Sequence, residues 1–129
     1  VITGEGNSGG ALAIAVANSV IMFENAVYSI LSPEGFASIL YKDASKSVAA
    51  CEAMKMTADD LRRFGMIDRI VKEPAGGIQK DWERGFADLD KALRKELSIY
   101  DAMSGVALAG HRYQKFRRMD ESAILSAKE

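Results

Sequence analysis

The amino-acid sequence predicts an α/β domain, and three features indicate this class. Short runs of β-branched or aromatic residues alternate with longer segments of helical periodicity. A glycine-rich loop at residues 4–10 opens directly into a small apolar run, as a loop does where it leads into a helix. Residues 81–103 carry apolar side chains at three- and four-residue steps, which is typical of an amphipathic helix. At 129 residues, 48% of them hydrophobic, the chain is long enough for one such domain with a core.

The first elements are expected on either side of the glycine loop. Val1 to Thr3 has the character of a strand end, and the sequence is expected to be the C-terminal part of a longer chain. A buried helix should run from residue 9 to about 17, with Asn18 as a left-handed stop. Two short strands should follow at 20–23 and 27–31, in an antiparallel or angled arrangement.

A third segment carries the signals of a helix start. Ser32 is a suitable N-cap, Pro33 suits the first helical position, and Glu34 is an acid in the first turn. The apolar face of this helix is expected to be core-like and consists of Phe36, Ile39 and Leu40.

The middle of the chain predicts two more helices and a strand. A helix at 45–55 should be followed by a shorter one that Thr57 caps and Gly65 ends. A strand at 66–71 should then lead into a break at 73–77, where proline and paired glycines exclude regular structure.

The longest helix is predicted from its cap at Asp81 to about Met103. Gly105 and Gly110 should loosen the chain after it, and the basic run 111–118 is expected to form a last helix with a solvated face, in preference to a phosphate- or partner-binding patch. The apolar stripe of the long helix indicates a core or a subunit interface and consists of Trp82, Phe86, Leu89, Leu93, Leu97 and Tyr100.

Composition excludes several classes of function. The net charge of −1 argues against a nucleic-acid protein that relies on bulk electrostatics. No apolar run approaches the roughly 18 residues that a membrane span needs. The single cysteine, Cys51, cannot form an intramolecular disulfide, and its helical context predicts a buried structural thiol in a reducing compartment.

The glycine loop is the strongest candidate for chemistry. The first N–H groups of a helix lack intrahelical partners and carry the positive end of the helix dipole, so a phosphate, a carboxylate or a developing oxyanion is stabilised there. Adjacent N–H groups of Gly9 and Gly10 would form an oxyanion hole, because glycine lets a substrate approach the backbone closely. The same loop could also be only a turn that packs a helix on a sheet.

Two other hypotheses use the same residues. Gly4-x-Gly6-x-x-Gly9 fits a dinucleotide fingerprint, with Glu24 in the position of a ribose-binding acid. Gly6-x-Ser8-x-Gly10 fits the nucleophile elbow of a serine hydrolase, with His111 downstream in the order of a triad.

Five sequence blocks occur in a fixed order along the chain. They are GEGNSGGALAI at 4–14, YSILSPEG at 28–35, TADDL at 57–61 with ID at 67–68, EPAGG at 73–77, and RYQKFR at 112–117. Through these blocks the sequence resembles the carboxyltransferase alpha subunits of bacterial acetyl-coenzyme A carboxylase. The resemblance covers residues 1–119, as the C-terminal part of the carboxyltransferase domain, and leaves 120–129 as a tail.

The resemblance implies a crotonase-like (ClpP/crotonase) fold of ββα units, here its C-terminal portion with a long C-terminal amphipathic helix. It implies a cytoplasmic enzyme of fatty-acid synthesis that transfers a carboxyl group from carboxybiotin to acetyl-coenzyme A to form malonyl-coenzyme A. The biotin would sit on the biotin carboxyl carrier protein and not on this chain. The implied partners are the carboxyltransferase beta subunit, in an alpha2beta2 assembly, together with biotin carboxylase and the carrier protein.

The resemblance assigns the oxyanion hole for the biotin enolate to Gly9 and Gly10. It implies no metal in this chain, since the family's zinc ribbon belongs to the beta subunit.

Thr3, Asn7 and the pair Ile78-Gln79 depart from the expected pattern. The 129-residue chain alone is expected to be inactive, to self-associate, and to leave its long apolar stripe partly bare. A non-catalytic structural fragment is the remaining alternative. The implied substrate-binding residues are Gly6, Ser8, Tyr28, Ser32, Pro33 and Glu34.

Overall fold

The computed structural model describes the backbone of residues 1–126 and the side chains of residues 1–119. Helices and two small parallel sheets confirm the predicted α/β class. The strands are β1 (Glu5–Asn7), β2 (Ile21–Phe23), β3 (Val27–Ser29) and β4 (Arg69–Val71). The helices are α1 (Ser8–Ile14), α2 (Pro33–Leu40), α3 (Ser47–Met54), α4 (Ala58–Arg63), α5 (Trp82–Tyr100) and α6 (Gly105–Ser126), with 3-10 turns at Ala44–Lys46 and Ile78–Lys80.

The four strands form two separate pairs. β1 lies parallel to β3 and β2 lies parallel to β4, so β2 and β3 do not pair, and of the expected antiparallel or angled arrangement the antiparallel form is wrong. The strand expected at Val1 to Thr3 shrinks to one parallel bridge between Ile2 and Met22, and the true first strand falls inside the glycine loop. The chain therefore leaves one sheet after Ile2 and joins the other at Gly4, whose carbonyl accepts a 2.9 Å hydrogen bond from the N–H of Val27.

The core is centred on β2, whose three residues are all buried. A strand that is buried on both faces has a continuous apolar sequence, and residues 20–23 have such a sequence. Leu89 and Leu93 of α5 pack against this cluster from one side. The fully buried side chains of largest volume are Phe23, Met22 and Ile67.

Capping side chains begin three helices as predicted. Ser32 accepts a 3.2 Å hydrogen bond from the N–H of Gly35, and Thr57 accepts one of 3.4 Å from the N–H of Asp60. Asp81 accepts a 3.1 Å hydrogen bond from the N–H of Arg84 at the start of α5. Each cap satisfies an N–H group that the helix itself cannot pair.

Several burial predictions are wrong, and α2 and α3 show why. These helices pack on each other with Ala37 and Ala50 fully buried, and such small residues turn the larger ones outward. Ile39 and Leu40 are therefore exposed, and so is Cys51, which was expected to be a buried thiol. Of the predicted core-like face, only Phe36 is half-buried.

The helix boundaries also correct the sequence predictions. α1 ends at Ile14 and buries none of its residues, and Asn18 is not left-handed. α5 covers most of the segment predicted to be the longest helix, but α6 is longer: Gly105 begins it, and Gly110 lies inside it without breaking it. Each glycine in a helix interior costs only about 1 kcal/mol, which a helix of 22 residues tolerates. The predicted tail 120–129 lies outside the residues whose side chains are described.

Candidate functional site

The candidate site begins where β1 turns sharply into α1. Ser8 makes this turn with a left-handed φ of 65°, a conformation that strains most residues other than glycine. The N-cap residue, Asn7, gives α1 no side-chain cap, because its Oδ1 instead accepts a 2.6 Å hydrogen bond from Ser29 Oγ. The first turn of α1 therefore has neither a capping side chain nor an acidic residue of its own.

Space around the glycines separates two roles within the loop. A Cβ added to Gly6 would lie 3.2 Å from Ile2 and 3.3 Å from Tyr28, so β1 needs glycine there to pass close to β3. A Cβ added to Gly9 or Gly10 would meet nothing within 4 Å, and neither glycine has a positive φ. The described fold therefore does not require glycine at these two positions.

A mostly apolar groove of 320 Å³ lies beside this turn. Ser8 and Tyr28, two of the predicted substrate-binding residues, both line it, and partial burial raises the pKa of Tyr28. Ser32, Pro33 and Glu34 do not line the groove, since they form the start of α2. The remaining lining residues are Leu12, Ser29, Ile30, Phe36, Met54, Leu61 and Met66.

Ser8 and His111 do not come together as a hydrolase triad requires. His111 Nδ1 lies 3.1 Å from Asn18 Nδ2, beyond the opposite end of α1 from Ser8. A seven-residue helix is about 10 Å long, and the two residues line different cavities. The strand, turn and helix around Ser8 resemble a nucleophile elbow, but the predicted base is elsewhere.

Glu24 occupies the end of a parallel strand, as the dinucleotide hypothesis expects, but its oxygens are already engaged. Oε1 accepts a 2.6 Å hydrogen bond from the N–H of Glu73, and Oε2 lies 2.8 Å from Lys72 Nζ. The hydrogen bonds from Lys72 and from the Glu73 N–H lower the pKa of Glu24. The carboxylate therefore ties the ends of β2 and β4 together, which leaves it poorly placed to bind a ribose.

The sequence pattern does not predict the buried polar cluster around Glu96. This residue is only 7% exposed and accepts hydrogen bonds of 2.8 Å from Ser19 Oγ and 2.7 Å from Arg69 Nε. Burial alone would raise the pKa of Glu96, but the hydrogen bonds from Ser19 and Arg69 outweigh it and the pKa is lowered. The one signal in the sequence is its spacing: Glu96 follows Leu89 by seven residues and Leu93 by three, on the buried face of α5.

The basic run 111–118 is partly structural, contrary to the expected solvated face. Lys115 is 10% exposed at its side chain and forms an ion pair with Asp68, whose carboxylate also accepts a 2.7 Å hydrogen bond from the N–H of Val20. Arg112 donates to Asn18 Oδ1 at 3.3 Å. Only the outer part of the run, which includes the exposed Tyr113, faces away from the fold.

The described residues offer neither a metal centre nor a membrane span. No group of three or more His, Cys, Asp or Glu residues among them is arranged to hold a metal ion. Likewise, none of the helices in this part of the chain has the length and apolar character to cross a membrane.

Comparison with known proteins gives a consistent result. The family model described as acetyl co-enzyme A carboxylase carboxyltransferase-like matches residues 1–120. Proteins named acetyl-coenzyme A carboxylase carboxyl transferase subunit alpha are similar to the chain: that of Clostridium acetobutylicum is 51% identical over 92% of the chain, that of Geobacter metallireducens 50% over 95%, and that of Zymomonas mobilis 53% over 90%. The chain spans 43%, 39% and 37% of the length of these relatives. It therefore belongs to the acetyl co-enzyme A carboxylase carboxyltransferase-like family.

Proposed function

We propose that this chain forms part of a carboxyltransferase alpha subunit with a crotonase-like fold of ββα units. The enzyme transfers a carboxyl group from carboxybiotin, carried on the biotin carboxyl carrier protein, to acetyl-coenzyme A and so forms malonyl-coenzyme A in fatty-acid synthesis. In this proposal the N–H groups of Gly9 and Gly10 form the oxyanion hole. The main support for this proposal is the first turn of α1, which is exposed and has no capping side chain.

The two glycines support this assignment because the fold does not explain them. Glycine in a helix is less stable than alanine, and neither position has a neighbour that a methyl group would strike. A group from outside the described chain that approaches the backbone closely would explain both. The N–H groups of this turn carry the partial positive charge of the helix end, which stabilises an oxygen that becomes negative during a reaction.

In this proposal the groove beside the turn receives the bicyclic ring of biotin. Its lining is mostly apolar, with Ser8, Tyr28 and Ser29 as the residues that carry hydroxyl groups. Carboxybiotin supplies the carboxyl group and leaves negative charge on its ureido oxygen. In this proposal Tyr28 and Phe36 would exclude water from the groove, and Gly6 lets β1 lie close enough to β3 to place Tyr28 there.

Partner subunits form the second part of the proposal. The beta subunit would complete the site in an alpha2beta2 carboxyltransferase, with biotin carboxylase and the carrier protein as further components. Trp82, Phe86 and Leu97 leave α5 with a partly bare apolar stripe, as the sequence predicts. An exposed apolar face of this kind supports an interface with another chain.

The test compares Gly10→Pro with Ser8→Ala in the assembled carboxyltransferase. Proline has no backbone N–H. The N–H of Gly10 lies in the first turn of α1, where it has no acceptor within the helix, so its removal breaks no helical hydrogen bond. Loss of one such donor typically costs about 10²- to 10³-fold in rate, so malonyl-coenzyme A formation should fall by that factor. Ser8→Ala should keep most of the activity, and Ser8 should resist labelling by a fluorophosphonate. Loss of activity in Ser8→Ala alone, together with labelling of Ser8, would establish a serine nucleophile instead.

A further inference from the structure

Asn18 is held by four hydrogen bonds from the last two helices. Its Nδ2 donates to the carbonyl of Leu108 at 2.7 Å and lies 3.1 Å from Nδ1 of His111. Its Oδ1 accepts from Arg112 at 3.3 Å, and its backbone carbonyl accepts from Tyr100 Oη at 3.1 Å. Every polar group of the Asn18 side chain therefore has a partner on α6.

The partners fix how the amide is oriented. The Leu108 carbonyl can only accept and the Arg112 guanidinium can only donate, so the amide cannot be reversed without two repulsive contacts. The second Nδ2 hydrogen then points at His111 Nδ1, which is placed to accept it. Burial raises the pKa of Tyr100, as do Glu96 and Asp68, so its hydroxyl remains a donor to Asn18.

α1 depends on its two ends because it buries no side chain in the described fold. Its leading end continues from β1, whose register with β3 fixes Asn7 opposite Ser29. Its trailing end passes through a turn at Ala15 to Ala17 into Asn18. Between α1 and β2, Asn18 binds α6 through its side chain, whereas the neighbouring Ser19 hydrogen-bonds to Glu96 and Tyr100 of α5.

We propose that Asn18 is a positioning residue that holds the trailing end of α1 and thereby aims the N–H groups of Gly9 and Gly10. This inference rests on the proposed oxyanion hole. α6 contributes to the reaction through its contacts with Asn18, although none of the α6 side chains that the structure describes lines the groove beside Ser8. The side chain of Asn18 does not touch the reacting atoms.

The first test uses Asn18→Ala in the assembled carboxyltransferase. We expect kcat to fall about 10-fold with the KM for acetyl-coenzyme A unchanged, because the hole acts on the reacting charge and not on binding of that substrate. Hydrogen exchange of the hydrogen-bonded amides at 12–14 should rise about 10-fold while exchange in β2 stays unchanged. Asp81→Ala, which removes the cap of α5, is the stability control and should alter neither kcat nor exchange in α1.

A second variant separates positioning from simple loss of stability. Asn18→Asp keeps the size of the side chain but places a carboxylate against the Leu108 carbonyl, so it should also lower kcat while the KM for acetyl-coenzyme A stays unchanged.

The outcomes distinguish the two proposals. If Gly10→Pro loses activity while Asn18→Ala keeps the native kcat and native exchange in α1, the positioning role is refuted and the oxyanion hole stands. If Gly10→Pro keeps full activity, the hole is refuted and the role of Asn18 falls with it. A lower kcat with unchanged KM in Asn18→Ala, with the double variant Gly10→Pro, Asn18→Ala no worse than Gly10→Pro, establishes the positioning role. Additive losses in the double variant refute it.

Discussion

Replacing Gly9 and Gly10 with alanine should stabilise the protein while it weakens carboxyl transfer. Helix propensity favours alanine over glycine by about 1 kcal/mol in a helix interior, and roughly half of that applies in the first turn. No clash subtracts from the gain, because a Cβ at either position meets nothing within 4 Å. The expected gain is therefore about 0.5 kcal/mol for each substitution and about 1 kcal/mol for the pair.

The stability change should be visible locally. Because α1 buries no side chain, its amides are expected to exchange through local opening and not through global unfolding. A gain of about 1 kcal/mol corresponds to roughly five-fold slower exchange of the amides in α1. Gly105→Ala is a matched control, since Gly105 begins α6 and a Cβ added there would also meet nothing within 4 Å.

The same substitutions should lower the rate of carboxyl transfer. A methyl group on Gly9 or Gly10 would keep the reacting oxygen away from the N–H groups, and a displacement of about 1 Å can cost about 10²-fold in rate. Malonyl-coenzyme A formation by the assembled enzyme should fall by about that factor, whereas Gly105→Ala should keep native activity. Slower exchange with unchanged activity would refute close approach of a substrate to this turn. Faster exchange would refute the open surroundings of the glycines.

Four other outcomes follow from the structure. Glu96→Gln should lower the free energy of unfolding by about 2–3 kcal/mol near neutral pH. Because the pKa of Glu96 is lowered in the folded state, this difference should be full above the unfolded pKa and vanish as pH falls through the folded one, which urea unfolding at several pH values would measure. Ser8→Gly should relieve left-handed strain and add about 0.5–1 kcal/mol in thermal unfolding, and a loss would contradict the φ of Ser8. Calorimetry should detect no NAD binding, whereas micromolar binding lost in Glu24→Ala would favour the dinucleotide hypothesis. Light scattering should show that the isolated chain associates, and a stable active monomer would disprove this.

Local signals in the sequence predict the helix starts well. Ser32, Thr57 and Asp81 cap the expected helices, because a cap depends on residues within one turn of itself. The glycine loop and Tyr28 also lie together as neighbours, through the register of β1 and β3. The assignment of Gly9 and Gly10 as an oxyanion hole stays a prediction.

Burial and strand pairing cannot be predicted in the same way, because they depend on residues far apart. Cys51 and Ile39 lie in helical patterns that look core-like, yet α2 and α3 meet through alanines instead. The spacing of α5 places Glu96 on the face of Leu89 and Leu93, but nothing near Glu96 in the sequence indicates the hydrogen bonds from Ser19 and Arg69 that make its burial favourable. Asn18 has the sequence context of a helix stop, since nothing near it in sequence indicates four hydrogen bonds to α5 and α6.

The parallel pairing of β2 with β4 has a consequence during protein synthesis. Val20 and Asp68, which join these strands by hydrogen bonds, are 48 residues apart. At about 5–20 residues per second the ribosome needs roughly 2–10 s to add that length, and until then the apolar strand β2 lacks its partner. The intervening α2 and α3 make mainly local contacts and can form earlier. The nascent chain therefore exposes Ile21 to Phe23 to chaperones, or to aggregation, for that whole interval.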